Sequence, residues 1–129
     1  MTEIERDARA TSTTGFEPQI AGSLAYLAGP FSGVLVLLAE RTNRYVRFHA
    51  WQAILGLGGL GAITILLLIC APLGIIISQR LFTVLFYAAS VTAVLWLVLW
   101  GFCLLNAYRG QAWKLPLAGP WAERLATPR

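Results

Sequence analysis

The chain has 129 residues, of which 57% are hydrophobic and 12% charged, and a net charge of +4. A soluble domain carries about 25% charged residues, whereas here Arg80 is the sole formal charge between Ala50 and Tyr108. A small soluble domain has no interior large enough to hide such a run, which excludes an ordinary soluble enzyme. The arginines flank apolar segments instead of covering a polar face, so no nucleic-acid partner is expected.

Residues 1–19 are polar, mix both charges with Thr, and hold no apolar core of the kind a cleavable signal needs. They are expected to form a disordered tail. A first apolar segment, residues 20–39, is long enough for one membrane span. Its Gly29-Pro30 pair predicts a kink near Tyr26–Pro30. Ala21, Ala25, Gly29 and Gly33 recur every fourth residue and would form one small-residue packing stripe. If this segment is re-entrant instead of spanning, the N-terminus moves to the side of the first loop.

Residues 40–52, ERTNRYVRFHAWQ, read as a connection whose arginines and aromatics suit the headgroup zone. A second segment, 50–77, exceeds one bilayer thickness and is therefore tilted, broken near Pro72, or begun in the interface. Its small pair is Gly58 and Ala62. After a turn at 78–80 comes a third segment, 81–108, with Ala89 and Ala93 as its small pair, Trp96 and Trp100 on one face, and Gly110 as its stop. Residues 109–129 form an interfacial tail. The fold class is thus an all-α membrane protein of about three transmembrane helices, a bundle over residues 20–108 with a short interfacial C-terminal segment. Arg41, Arg44 and Arg47 in the first loop, and Arg109, Lys114 and Arg124 in the tail, place both in the cytoplasm by the positive-inside rule. The expected interfacial anchors are Arg41, Arg44, Arg47, Trp51, Trp113, Lys114 and Trp121.

Two stretches, YVRFHAWQAIL and NAYRGQAWKLPLAGPWAERL, carry a family likeness. The matching residues are Arg47, Phe48, His49, Ala50 and Gln52, then Ala107, Tyr108, Arg109, Gly110, Leu115, Pro116, Gly119, Ala122 and Glu123. The pattern resembles a group of small bacterial membrane proteins of unknown function. That group is itself similar to the twenty-kilodalton membrane component of the chloroplast inner-envelope protein import machinery. The likeness covers residues 20–125 and departs at Pro120-Trp121. It implies a small helical membrane fold in a bacterial cytoplasmic membrane, and supplies no activity.

Candidate chemistry is sparse. Cys70 and Cys103 would lie about 20 Å apart along the membrane normal, too far for a disulfide. His49, the sole histidine, could be an axial ligand to a tetrapyrrole, against the commoner role of hydrogen-bonding backbone or lipid. No cofactor or metal is predicted, and contact with lipid or a pigment is left open. Gln52 and Asn106 stand equally far from the turn at Gln79, which suggests an amide clamp, with His49 and Arg109 one step outward. The same four residues could instead dock a partner or a lipid headgroup. The expected function is that of a non-enzymatic interaction protein, an accessory or structural subunit among other transmembrane subunits and membrane lipids. Alternatives are a component of protein translocation or membrane-protein insertion, and a homo-oligomeric channel.

Overall fold

The computed structural model describes residues 2–128 and is helical throughout, with no strand among the described residues. The first turn of structure comes from within the stretch expected to be disordered. Helix α1 (Glu3–Asp7) is closed by a reciprocal cap, in which Glu5 N donates to Thr2 Oγ1 at 3.3 Å and Thr2 N donates to Glu5 Oε2 at 3.1 Å. Ile4 and Ala8, four residues apart, share one face and are buried against Tyr45, Val46 and Phe48. Two apolar side chains on one face are enough to tie down a segment that is polar on average.

The apolar stretch 20–39 is not one kinked rod but two helices, α2 (Pro18–Leu27) and α3 (Pro30–Ala39), each with proline in its first turn. Between them Gly29 takes φ 61°, a left-handed conformation that glycine adopts without steric cost. Pro30 reinforces the break, because the residue before a proline is pushed out of the helical region. Ser32 closes the turn: its Oγ accepts from Ala28 N at 2.9 Å and donates to Ala25 O at 3.0 Å. The chain reverses here. Thr13, ahead of α2, meets the end of α3, with Thr13 Oγ1 lying 3.2 Å from Ala39 O and accepting from Arg41 N at 2.9 Å. The segment is therefore a helical hairpin whose two ends lie together. The break also divides the expected small-residue stripe, since Gly29 is the turn itself.

The next helix begins earlier than composition suggested. Asn43 caps it through Val46 N at 3.2 Å, and α4 (Arg44–Gln52), a π-helical turn (Ala53–Leu57) and α5 (Gly58–Gly74) follow without a break. The polar run RYVRFHAWQ, read from sequence as a connection, is thus helical, because α1 to α3 cover most of it. Proline at 72 sits in the last turn of α5. Tight bonds such as Ile77 N to Gly74 O at 3.0 Å then lead into α6 (Gln79–Tyr108), which Ser78 caps through Leu81 N.

Two stretches, Arg44–Gly74 and Gln79–Tyr108, are long and apolar enough to cross a membrane, and Pro30–Ala39 is a shorter apolar helix. At 1.5 Å per residue each long stretch measures about 45 Å, well over the ~30 Å hydrocarbon core. The all-α membrane class follows. Beyond the hairpin α5 packs mainly on α6, joined by Thr64 Oγ1 donating to Thr92 Oγ1 at 3.0 Å. After Gly110 (φ 78°) the chain returns across the polar end and finishes in α7 (Ala118–Leu125), which packs on α4. Leu117, also at positive φ, begins α7 and is 87% exposed, while Leu115 is buried.

The reversal at Gly29 puts residues 11, 41 and 127 at one end of the molecule and Gln79 at the other. Single cysteines at Thr11, Arg41, Thr127 and Gln79, in a chain with Cys70 and Cys103 replaced by alanine, test this with a membrane-impermeant thiol reagent. The first three should label from one side of the membrane and Gln79→Cys from the other. Labelling of Thr11→Cys together with Gln79→Cys would mean that the first segment spans.

Candidate functional site

Chemistry-bearing residues gather at the end where α1, α7 and both hairpin ends meet. Glu40, the C-cap of α3, is fully buried. Its carboxylate accepts from Ser12 Oγ, from Thr13 Oγ1 at 2.7 Å and Thr13 N at 3.0 Å, and from Thr42 N at 3.0 Å and Asn43 N at 2.9 Å. It therefore sits on amide groups leading into α4, where a negative charge is favoured. Burial alone would raise its pKa, but the hydrogen bonds from Asn43, Ser12, Thr13 and Thr42 outweigh burial and bring it down to about 2. Around this clasp, Asn43 Nδ2 donates to Asp7 O at 2.8 Å and Thr11 O at 3.1 Å, and Arg44 N donates to Asp7 Oδ2 at 3.1 Å.

A second network lies deeper. Gln52 Nε2 donates to Tyr26 Oη at 3.0 Å and to Trp113 O at 2.9 Å, and Gln52 Oε1 accepts from Leu115 N at 3.1 Å. Because the Tyr26 oxygen accepts from Gln52, its proton is free to go to His49 Nδ1, 2.9 Å away. That assigns the remaining proton of the ring to Nε2, which faces the Gln111 backbone without a hydrogen bond of ordinary geometry. Tyr45 Oη donates to Ala107 O, and Trp100 Nε1 donates to Tyr26 O at 2.7 Å. Together these bonds join α2, α4, α6 and the 110–117 loop.

The expected site residues divide accordingly. Gln52 and Asn106 do not meet: Asn106 Nδ2 donates to Phe102 O within its own helix at 2.9 Å. Equal distance from the turn fixes depth but not rotation, and the π-helical turn after Gln52 alters the phase of the helix. Arg109 is exposed at the end of α6 and joins neither network. His49 is buried among the rings of Tyr26, Tyr45 and Phe48, with centroids 5.5, 4.5 and 5.1 Å away, so no face is open to a flat pigment. Of the arginines read as interfacial anchors, Arg47 turns inward and is buried, donating to Glu40 O at 2.9 Å and Thr127 O at 3.1 Å. Arg44 pairs with Glu3 at 3.1 Å, while Arg41 is exposed. Lys114 pairs with Glu123 at 2.6 Å, and Arg124 lies over the exposed Trp121 ring. Trp51 is half-buried beside Val36, and Trp113 meets Phe102 edge-on at 4.6 Å.

The small residues also separate. Ala21 and Ala25 are buried, Gly33 lies against Ala50 O and Ala53, and Gly58 against Pro30. Ala89 is buried between the long helices. Ala62 and Ala93 line an open groove of about 560 Å³ with Pro30, Phe31 and Trp96, and a Cβ added at Gly61 would lie 3.3 Å from Trp96 Nε1.

A polar clasp of this kind, held at one end of a helical hairpin, joins the two signature stretches through Gln52, Tyr45 and the 107–115 backbone. Residues 17–122 match the magnetosome magnetite crystal formation protein family. The chain belongs to that family. A UPF0132 membrane protein of Methanocaldococcus jannaschii is 34% identical over 113 residues, covering 88% of this chain and 92% of its own. Two UPF0132 membrane proteins of Archaeoglobus fulgidus are 33% and 37% identical, covering 81% and 78% of this chain and 91% and 92% of theirs. No solved structure matches. These relatives support a small membrane protein family, and their names carry no link to chloroplast import. All three are archaeal, so the family is not tied to a bacterial membrane.

Within this family member, sequence reasoning missed Tyr26, Glu40, Asn43 and Tyr45. One signal was available for Glu40: it is the only acidic residue between Glu17 and Glu123. An isolated carboxylate beside an apolar segment must find donors, which points to a buried role.

The Glu40 carboxyl is depressed in the folded chain, so its stabilising effect is complete above the ordinary value of 4.5 and fades as pH falls towards about 2. Glu40→Gln is expected to lower stability by about 1–3 kcal/mol at neutral pH. Unfolding in detergent from pH 7 to pH 2.5 should show the gap from the parent closing below pH 4.5; a gap independent of pH would refute the clasp. Double-mutant cycles test the deeper network. Gln52→Leu with Tyr26→Phe should couple by about 0.6 kcal/mol, up to about 1.7, while Gln52→Leu with Asn106→Leu should not couple. The reverse ranking would restore the amide clamp and reject the network.

Proposed function

We propose that this protein is a non-enzymatic structural or accessory component of its membrane, acting through the surfaces of its helices. The observation that carries this reading is the contrast between the two ends. At the clasped end the buried polar groups of Glu40, Asn43, Tyr26 and Gln52 are engaged with one another and with backbone. Beyond the hairpin, Ile65, Leu66, Ile69, Val84, Tyr87 and Val91 are exposed on two bare helices. Such a surface is suited to lipid and to other transmembrane helices, and the groove at Gly61, Ala62 and Ala93 would let a neighbouring helix approach closely.

The magnetite crystal formation in the family's description enters this reading through the membrane. Among the described residues no group of three or more His, Cys, Asp or Glu stands close enough to hold a metal ion. The basic residues support a cytoplasmic clasped end: Arg6, Arg9, Arg41, Arg44, Arg47, Arg109, Lys114 and Arg124 lie towards it, and Arg80 lies at the opposite turn. A channel is disfavoured because the polar side chains Thr64 of α5 and Thr92 of α6 bond to each other and leave little to line a pore.

The test is mild solubilisation of native membranes, affinity capture of the tagged full-length chain, and mass spectrometry. One stoichiometric membrane partner is expected, lost when Gly61→Leu fills the groove. Capture of many secretory precursors would favour translocation or insertion, and recovery of the chain alone would reject the accessory role.

A further inference from the structure

The hairpin gives the molecule unequal widths in the two halves of a bilayer. Its tip is fixed by two contacts: a Cβ on Gly29 would meet Trp96 Cζ2 at 3.1 Å, and one on Gly58 would meet Pro30 Cβ at 3.2 Å. From Gln79 to Trp96, and again from Gly58 to Gly74, about 25 Å of helix continues past that tip. A hydrocarbon core is ~30 Å thick. The hairpin is therefore confined to the leaflet on the clasped side. That it faces lipid there follows from α3, whose Phe31, Leu35 and Leu38 are exposed.

The leaflet on the clasped side thus holds α2, α3, α4 with the π-helical turn, and the end of α6. The opposite leaflet holds only α5 and the first half of α6. With each helix about 10 Å across, the number of helices roughly doubles between one leaflet and the other. The headgroup level on the clasped side is wider still, because α7 lies there with Trp121 exposed and Leu117 held outward at its positive φ. The geometry points to a wedge: the protein favours membrane that is convex on its clasped side, and the surface it recognises is a bent lipid monolayer. In flat membrane the clasped-side leaflet must make room for more protein than the other, and the mismatch is relieved where that leaflet is stretched. No protein partner is required, so the outcome of the capture experiment leaves this inference standing.

The full chain carrying Thr127→Cys, with Cys70 and Cys103 replaced by alanine, serves as its own control. It is reconstituted into giant vesicles of phosphatidylcholine and phosphatidylglycerol, which it enters in both orientations. An impermeant maleimide dye marks molecules with the clasped end outward, and a permeant dye of another colour then marks the remainder. Thin tethers are pulled and the density of each dye is compared between tether and vesicle. The outward population should be enriched on the tether, with a ratio above one that grows as the tether narrows. The inward population should be depleted, with a ratio below one. Equal ratios for the two dyes would overturn the wedge, as would happen if a second copy filled the narrow leaflet beneath the hairpin. The opposite signs would overturn it too.

Discussion

The Glu40 carboxylate receives hydrogen bonds from Ser12 and Thr13 on one side and from Thr42 and Asn43 on the other, and so ties the chain before α2 to the chain after α3. A buried carboxylate without donors would be costly enough to neutralise itself or unfold its surroundings. Here the donors are mostly backbone amides and hydroxyls, and the negative charge rests on the amides leading into α4. With both ends held, α2 and α3 must leave and re-enter at the same surface. The remaining features at this end build on that closure. Arg47 reaches the Glu40 carbonyl and the Thr127 carbonyl, so the first loop and the C-terminal segment are bound to one side chain. Tyr26 is carried by the hairpin to the depth of His49 and Gln52.

The two long helices were legible because their apolar runs far exceed anything a soluble core of this size could bury. The adjacency of the two signature stretches was legible as well, since Gln52 and Leu115 belong one to each, and they meet where Leu115 N donates to the Gln52 side-chain oxygen. The reversal at Gly29-Pro30 was not. Twenty apolar residues satisfy the length of a span, and a kink and a turn have the same local signature. What decides between them is a contact between Thr13 and Glu40, far apart in sequence. The fate of Arg47 was hidden for a related reason: an arginine flanking an apolar segment reads as a headgroup anchor until the backbone carbonyls that can receive it are known. Depth arithmetic placed Gln52 and Asn106 at one level, but the π-helical turn carries an additional residue, and direction is lost across it.

Two tryptophans show how the long helices are fixed against the rest. Trp96 and Trp100 stack with their planes 5° apart, and their indole N–H groups reach the Leu57 and Tyr26 carbonyls at 2.8 and 2.7 Å. Both carbonyls belong to irregular backbone, one at the end of the π-helical turn and the other at the end of α2. Tyr26 O also accepts from Gly29 N at 2.9 Å, so the indole is its second donor. The paired indoles add side-chain donors at these two points, and tie α6 to the hairpin and to the π-helical turn.

The order of these contacts along the chain bears on how the protein is made. The hairpin leaves the ribosome first, yet the groups that hold it come later: Asn43 at the entry to α4, Trp96 and Trp100 in the middle of α6, and Thr127 almost at the end. Until α6 has been synthesised, Tyr26 lacks the indole donor and Tyr45 lacks the Ala107 carbonyl. The base of the nascent α2–α3 hairpin can close on Glu40 as soon as Asn43 has emerged, but its tip, too short in either arm to span, gains its contacts with α6 only after two full helices have been made. Chain completion, not hairpin insertion, is then the step that gives this protein its final topology.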